Sequence, residues 1–381
     1  MELPVFKLER YFAHYEFKVR HLLCSSDCES VTVKDLLALE AGAGDALENL
    51  WLGYTESPGA PALRQEISRL YDTIGPDQVL VHSGAEEAIF LFMHATLSPG
   101  DHLIVHWPCY QSLYEVARSI GCEVTFWEAR EEQGWSLDPD DLAAQIRPQT
   151  RAVIINTPHN PTGWLMPRDE FVRMNRMLDE RGILLFSDEV YRESEYSADD
   201  RLPAACDLSH HAVSLGVMSK TYGLPGLRIG WIATGNPEIA NRMAALKDYT
   251  TICNSGPSEF LAEIALRHRD ALIRRNLEII TTNLTILDEF FQRHSTLFSW
   301  VRPTAGPIAF VHLTDGEVDA FCHELVNKKG VLLLPGNLYG DRGNHFRIGF
   351  GRRGMSAAVA ALEQFVGSRN PNAPESSSLV E

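Results

Sequence analysis

The feature that most constrains this chain is an alternation running from residue 79 to about 250. Short apolar runs at Val79–Val81, Leu103–His106, Val124–Trp127, Ala152–Asn156, Ile183–Phe186 and Val213–Val217 are separated by segments of helical periodicity. Helices are expected at Glu86–Thr96, at Tyr110–Ile120 and from Pro139 to Ile146. Another begins after Pro167, carries Phe171, Met174 and Leu178 on one face, and stops at Gly182. Strands this continuously apolar suit a sheet buried on both sides. The expected fold class is therefore α/β, with a large, mostly parallel sheet covered by helices.

The flanks read differently. Lys7 to Phe17 reads as a short helix, and a glycine- and proline-rich loop leads into a helix beginning near Pro61. Residues 257–295 are helical in pattern and lead to short strands at Phe298–Val301, Ile308–Leu313, Val331–Leu334 and Phe346–Gly349. With helices near Val318–Lys328 and Ser356–Val366, these predict a smaller α+β domain. The expected division is an N-terminal segment, 1–45, packed with the small domain, a large domain at 46–275, a small domain at 276–367 and a disordered polar tail at 368–381.

A formal charge of −17 argues against nucleic acid or an anionic membrane as partner. No apolar run is long enough to span a membrane, and the N-terminus lacks the apolar core of a signal peptide, so a cytoplasmic location is expected. The seven cysteines are scattered, as reduced thiols are. Cys24 and Cys28 form at most half a metal site, and no metal is expected.

Several apolar strands end in unexpectedly polar residues. Ala152–Asn156 runs into Thr157-Pro-His-Asn160-Pro-Thr-Gly163, Ile183–Phe186 into Ser187-Asp188-Glu189-Val190-Tyr191, and Val213–Val217 into Ser219-Lys220. Ligands of an open α/β sheet bind beyond the carboxyl ends of its strands. One rim therefore gathers an amide, a carboxylate, a phenol and an amine. An amine at the end of a buried strand is costly to desolvate, and the same desolvation frees it to attack a carbonyl. Ser83-Gly84-Ala85-Glu86 opens directly into a helix and offers backbone N–H groups to an anion, which Ser219 and Arg228 could also hold. Pyridoxal phosphate is the small molecule that uses all of these together.

The motifs SGAEEA, HWPCY, NTPHNPTG, SDEVYRE, SKTYGLPGLRIGW and FRIGF, in this order, resemble the fold-type I pyridoxal-phosphate enzymes of the class I/II aminotransferase superfamily. The resemblance runs over nearly the whole chain. It implies that Lys220 bonds the cofactor and later removes the substrate's α-proton, and that Asp188 pairs with the pyridine nitrogen. It also implies that Asn160 and Tyr191 bind the ring's phenolic oxygen, that Tyr110 stacks on the ring, and that Ala85, Glu86, Ser219 and Arg228 hold the phosphate. Tyr54 matches the tyrosine that reaches the neighbouring subunit's phosphate, which implies a homodimer with shared sites. Arg347 matches the arginine that binds the α-carboxylate of a small amino-acid substrate.

Ordinary members carry an apolar, glycine-containing segment near the N-terminus, where this chain has LLCSSDCES. That departure, with LERYFAHYEF before it, is similar to the cyclases of natural-product biosynthesis that make capreomycidine- and enduracididine-type amino acids from hydroxylated arginines. The subgroup implies loss of a side-chain hydroxyl and ring closure by a guanidine nitrogen. Asp27, with Glu9 or Glu29, could supply a fork for the guanidinium, and Ser25 lies in the same cluster. A conventional aminotransferase is the alternative expectation.

Overall fold

The structure, a computed structural model, describes residues 3–341 and 343–369. Its centre is a seven-stranded sheet in the order Val79–His82, Gly230–Ala233, Ala212–Val217, Leu184–Asp188, Thr150–Asn156, His102–Trp107, Glu123–Glu128. The last five of these run parallel to one another. Gly230–Ala233 is antiparallel to both of its neighbours, pairing Val217 with Gly230 and His82 with Gly230. The reason is the connection: residues 218–229 form a tight loop rather than a helical crossover, so the chain can only double back.

Successive residues of the central strands are buried on opposite faces. Leu103, Val105, Ile154 and Phe186 pack with Ile89 and Phe92 of the helix Ala85–Thr96. Ile104, Val153, Ile155 and Leu185 pack with Phe171, Met174 and Leu178 of the helix Arg168–Glu180. That two-sided burial explains why the strands are apolar throughout.

The second unit is a four-stranded antiparallel sheet, Leu334–Pro335, His345–Gly349, Ile308–Leu313, Phe298–Ser299, covered by the helices Val318–Lys329 and Met355–Arg369. The helix Arg269–Arg293 crosses the expected boundary at 275 without a break. Its Leu272 and Ile273 lie in the core beneath the large sheet, and its Ile280, Leu284 and Leu287 in the core of the small one. The expected tail starts inside a helix, since Ser368 and Arg369 still belong to Met355–Arg369; residues 370–381 lie outside the described residues.

The N-terminal segment divides its contacts. His21–Leu22 pairs in parallel with Val331–Leu332, and Leu23 and Cys28 enter the small unit's core. Leu36 and Ala43, on the short helices Val33–Leu37 and Ala43–Glu48, pack instead with Leu63 and Leu261 of the large unit. Between these ends the chain lies main chain to main chain against residues 349–351. Gly349 N–H donates to Leu23 O at 2.9 Å, and Glu29 N–H to Gly351 O at 2.8 Å.

A Cβ at Gly349 would overlap the Ser25 backbone, so only glycine permits this approach. Gly349→Ala is expected to destabilise the protein by about 1–3 kcal/mol, because one of two main chains must move. A urea midpoint equal to wild type would show that the segment is not held here.

Candidate active site

A cavity of about 410 Å³ opens at the carboxyl ends of the parallel strands. Three strand ends furnish its floor: Asn156 closes Thr150–Asn156, Asp188 closes Leu184–Asp188, and Ser219-Lys220 come soon after Ala212–Val217. The helix Ser112–Ile120 begins two residues later than the expected start at Tyr110, so Tyr110 stands just before it and faces the cavity. Ala85 and Glu86 contribute the first turn of Ala85–Thr96. Arg347, from the small unit, and Glu9, Ser25 and Asp27, from the N-terminal segment, close the far wall. Asn160, Tyr191 and Arg228 complete the set of expected residues that meet around this one cavity.

Two of the expected cofactor-binding residues lie outside the lining. Gly84 stands one residue behind it, at φ +86°, where a Cβ would come within 2.6 Å of the Arg228 guanidinium. Tyr54 is 88% exposed and takes no part in the cavity of its own chain.

The cavity is organised by charges that lack opposite partners. Arg347 is fully buried. Its Nε and Nη2 donate to Cys24 O at 3.2 and 2.7 Å, and its Nη1 donates to Asn160 Oδ1 at 3.1 Å and to the Tyr339 hydroxyl. No carboxylate pairs with it among the described residues, so an anion entering the cavity would complete it. Elsewhere in the cavity the Arg228 guanidinium, beside the N-terminus of Ala85–Thr96, donates to Pro225 O at 3.2 Å, its one hydrogen bond among the described residues. That combination suits a phosphate.

Asp188 is the buried acid between them. Val190 N–H donates to it at 3.2 Å, no cation pairs with it among the described residues, and burial pushes its carboxyl up to about 7. A cationic ring nitrogen placed against it would restore its charge. The Tyr191 hydroxyl is buried, with the Ser26 side chain near it but no well-formed hydrogen bond among the described residues, a cost that a ligand oxygen would remove. Burial holds the Lys220 ammonium below the usual lysine range, against the pull of Asp27. Glu86 is pushed up to about 7 by burial and accepts from Ser112 Oγ at 3.1 Å, which lessens its repulsion of a nearby phosphate. An anion cradle, an unpaired acid, an orphan phenol and a desolvated amine fit pyridoxal phosphate.

The structure corrects one expectation. Asp27 offers no free fork for a guanidinium, because Arg352 already fills it, Nε to Oδ1 at 2.9 Å and Nη2 to Oδ2 at 2.6 Å. Glu29 is also engaged, accepting from Arg353 N–H at 2.8 Å, and it does not line the cavity. Glu9 does line it and accepts from the Tyr110 hydroxyl at 2.7 Å. Cys24 and Cys28 are buried, and burial pushes both thiols up to about 12.

Sequence reasoning missed Glu16, Ser26, Tyr339 and Arg352. Glu16 lines the cavity with no ion pair among the described residues, and burial raises its carboxyl. Ser26 Oγ accepts from Lys220 Nζ at 2.8 Å. Tyr339 donates to Asn160 Oδ1 at 2.9 Å and so orients that amide. Arg352 sits five residues after Arg347 in FRIGFGRR, and this doubling of arginines was the one available signal.

A cleft of this make-up, at the strand ends of such a sheet, defines the pyridoxal-phosphate enzymes of fold type I. Residues 22–361 match the aminotransferase class I and II family model, and the chain belongs to that family. It is 30% identical to capreomycidine synthase of Streptomyces vinaceus, over 96% of this chain and 95% of that one. It is 28% identical to an arginine–pyruvate transaminase of Pseudomonas aeruginosa, over 80% of each chain. Among solved structures, a pyridoxal-phosphate-dependent aminotransferase from Streptococcus suis superposes with a TM-score of 0.91 at 33% identity, covering 97% of this chain and 99% of that one. The pyridoxal-phosphate-dependent cyclase OrfR superposes with a TM-score of 0.89 at 30% identity, covering 97% and 98%. The protein is a pyridoxal-phosphate-dependent enzyme of the aminotransferase family.

The raised Asp188 has a pH consequence in cofactor-free protein. Its folded value, about 7, lies above the roughly 4 of an unfolded aspartate, so the native state binds this proton more tightly. The stability it contributes is complete below about pH 4 and is lost as pH rises through about 7. Urea unfolding of cofactor-free wild type and Asp188→Asn should show wild type losing ground to the variant across that window. Parallel stability curves would place Asp188 in a solvated setting instead.

Proposed function

We propose that the enzyme is a cyclase/dehydratase acting on a β- or γ-hydroxylated arginine, forming a cyclic guanidino amino acid. In this reaction the bond from carbon to the side-chain hydroxyl breaks, a guanidino nitrogen bonds that carbon, and one water leaves. The observation that carries the proposal is a pair of carboxylates that line the same cavity as Arg347. These are Glu9 and Glu16, and neither has an ion pair among the described residues. A substrate with its α-carboxylate on Arg347 would extend its cationic end toward these two carboxylates. The similarity to capreomycidine synthase and to the cyclase OrfR supports the same reaction class.

The chain's residues divide the work. Ala85 and Glu86 N–H groups, Ser219 and Arg228 would hold the phosphate, Asp188 the pyridine nitrogen, Asn160 and Tyr191 the phenolic oxygen, with Tyr110 against the ring. Bound there, the cofactor supplies an electron sink for the pair left when the α-proton departs. Lys220 Nζ, lowered in basicity by burial, takes that proton. Arg347 fixes the carboxylate so that the α-hydrogen faces Lys220. Tyr54, exposed beside Trp51 and Leu52, would serve the phosphate site of a second subunit in a homodimer.

Amino transfer is the second reading, favoured by the likeness to the arginine–pyruvate transaminase and to the Streptococcus suis aminotransferase. Incubation with β- and γ-hydroxyarginine without a 2-oxo acid is expected to give a product lighter by one water. Arginine with pyruvate tests the other reading, and transfer without any dehydration would sink the cyclase. Lys220→Ala should abolish turnover together with the borohydride-sensitive absorbance of the bound cofactor.

Glu16→Gln should raise KM for the hydroxyarginine roughly tenfold or more with little change in kcat, as loss of a charged hydrogen bond does. An unchanged KM would move the guanidinium site elsewhere.

A further inference from the structure

The N-terminal loop sets one hydroxyl against the reactive amine. Lys220 Nζ donates to Ser26 Oγ at 2.8 Å, the amine's one hydrogen bond among the described residues. Ser26 itself is half-buried and lines the cavity. The residues around it are fixed. Arg347 grips Cys24 O through two donors, and Arg352 grips the Asp27 carboxylate through two more. The ring of Tyr191 lies on the same side, with its centroid 6.0 Å from Lys220 Nζ. The hydroxyl is therefore positioned by two charged clamps one or two residues away, not by its own flexible contacts.

The proposed cyclisation leaves a proton in the wrong place. Lys220 receives it from the α-carbon, whereas the group that must leave is a hydroxyl one or two carbons further along the side chain. A hydroxyl leaves readily only as water, so it needs a proton at its oxygen. Of the other wall groups, Asp27 is tied to Arg352, Glu9 accepts from Tyr110, and Glu16 is the carboxylate assigned above to the substrate's guanidinium.

We propose that Ser26 is the proton relay between Lys220 and the departing hydroxyl. The Lys220 ammonium gives a proton to Ser26 Oγ while the Ser26 O–H gives its own to the leaving oxygen. For the β-hydroxylated substrate, the pair left at the α-carbon forms a double bond to the β-carbon as the carbon–oxygen bond breaks with its electrons on oxygen; water departs, and Lys220 returns to the free amine. A guanidino nitrogen then adds to the β-carbon, its proton passes to Lys220, and Lys220 returns that proton to the α-carbon as the double bond is consumed. The inference rests on the proposed cyclisation.

Three measurements on wild type, Ser26→Ala and Ser26→Thr test it. The first is exchange of the substrate α-hydrogen in deuterated water by holoenzyme, which reads Lys220 alone. The second is release of water from the hydroxyarginine. In Ser26→Ala, exchange should stay within about threefold while water release falls about 100-fold, the usual weight of a general acid. Ser26→Thr keeps the hydroxyl and should restore most of the rate. The third uses cofactor-free protein: the pH midpoint for capture of pyridoxal phosphate, followed by absorbance, should move down in Ser26→Ala, because Lys220 loses the acceptor that favours its charged form.

Equal water release by Ser26→Ala overturns the relay. A parallel loss of exchange and water release overturns it too, since Ser26 would then only place the lysine. Failure of wild type to release water from either hydroxyarginine overturns both the cyclisation and the relay. In that case the capture midpoint still reports whether Ser26 touches the amine.

Discussion

The contact on which the site depends is the seam between residues 24–29 and residues 347–352. Arg347, buried and without a carboxylate among the described residues, directs two donors to the carbonyl of Cys24. Arg352 closes the fork of Asp27, and Gly349 and Gly351 let the two main chains touch. Neither side of this seam belongs to the sheet that carries Lys220 and Asp188. Without the seam the far wall of the cavity would be a loop in solvent. With it, Glu9, Ser25 and Ser26 are brought to the cofactor side of a pocket assembled elsewhere.

The cavity also shows why its charges stay unpaired. Arg347, Arg228 and Asp188 each pair with no opposite charge among the described residues, although the chain has acidic residues to spare. Burying an unpaired ion is unfavourable, and the protein offsets that cost with neutral partners: carbonyls at Cys24 and Pro225, the Asn160 amide, the Val190 N–H. Neutral partners orient a charge without cancelling it. The field that remains can act on a carboxylate, a phosphate and a ring nitrogen, the three ionic features of an amino acid meeting pyridoxal phosphate.

Much of this was legible in the sequence because it is local. Apolar runs that end in Asn156, Asp188 and Lys220 announce both a sheet and its functional edge, and glycine before Ala85 announces a helix start open to an anion. Some local signals were there and passed over. Thr32 with Asp35 forms the capping box of Val33–Leu37, and Asn236-Pro237 opens Pro237–Lys247. The rest was not readable for a physical reason. Asp27 was assigned to the substrate because its chemistry fits, and no spacing could show that a residue 325 positions away, Arg352, would take it. Tyr339 stands in a loop without a motif, and its value comes only from touching Asn160 across 179 residues. Glu16 lies just past the end of the helix Lys7–Tyr15, where sequence alone suggests solvent.

That division between local and distant contacts bears on how one fold can serve several reactions. In the proposed reaction, removal of the α-proton would fall to the large sheet's own residues: Asp188 ends one strand, and Lys220 comes just beyond the strand paired with it. The later steps depend on the groups beside the substrate's side chain. In the proposed reaction those would be a hydroxyl and two carboxylates, Ser26, Glu9 and Glu16, all from the first 26 residues and all in the cavity lining. They reach the sheet through tertiary contacts: Glu9 directly through the Tyr110 hydroxyl, and Ser26 through its neighbours' clamps to the C-terminal unit. A change of reaction can therefore be made in a segment outside the large sheet, while the proton chemistry stays on the sheet's own strand ends. The polar stretch at Ser25–Glu29 is better understood in that light. Its acid anchors the wall through Arg352, and it is the serine between two anchored neighbours that faces the amine.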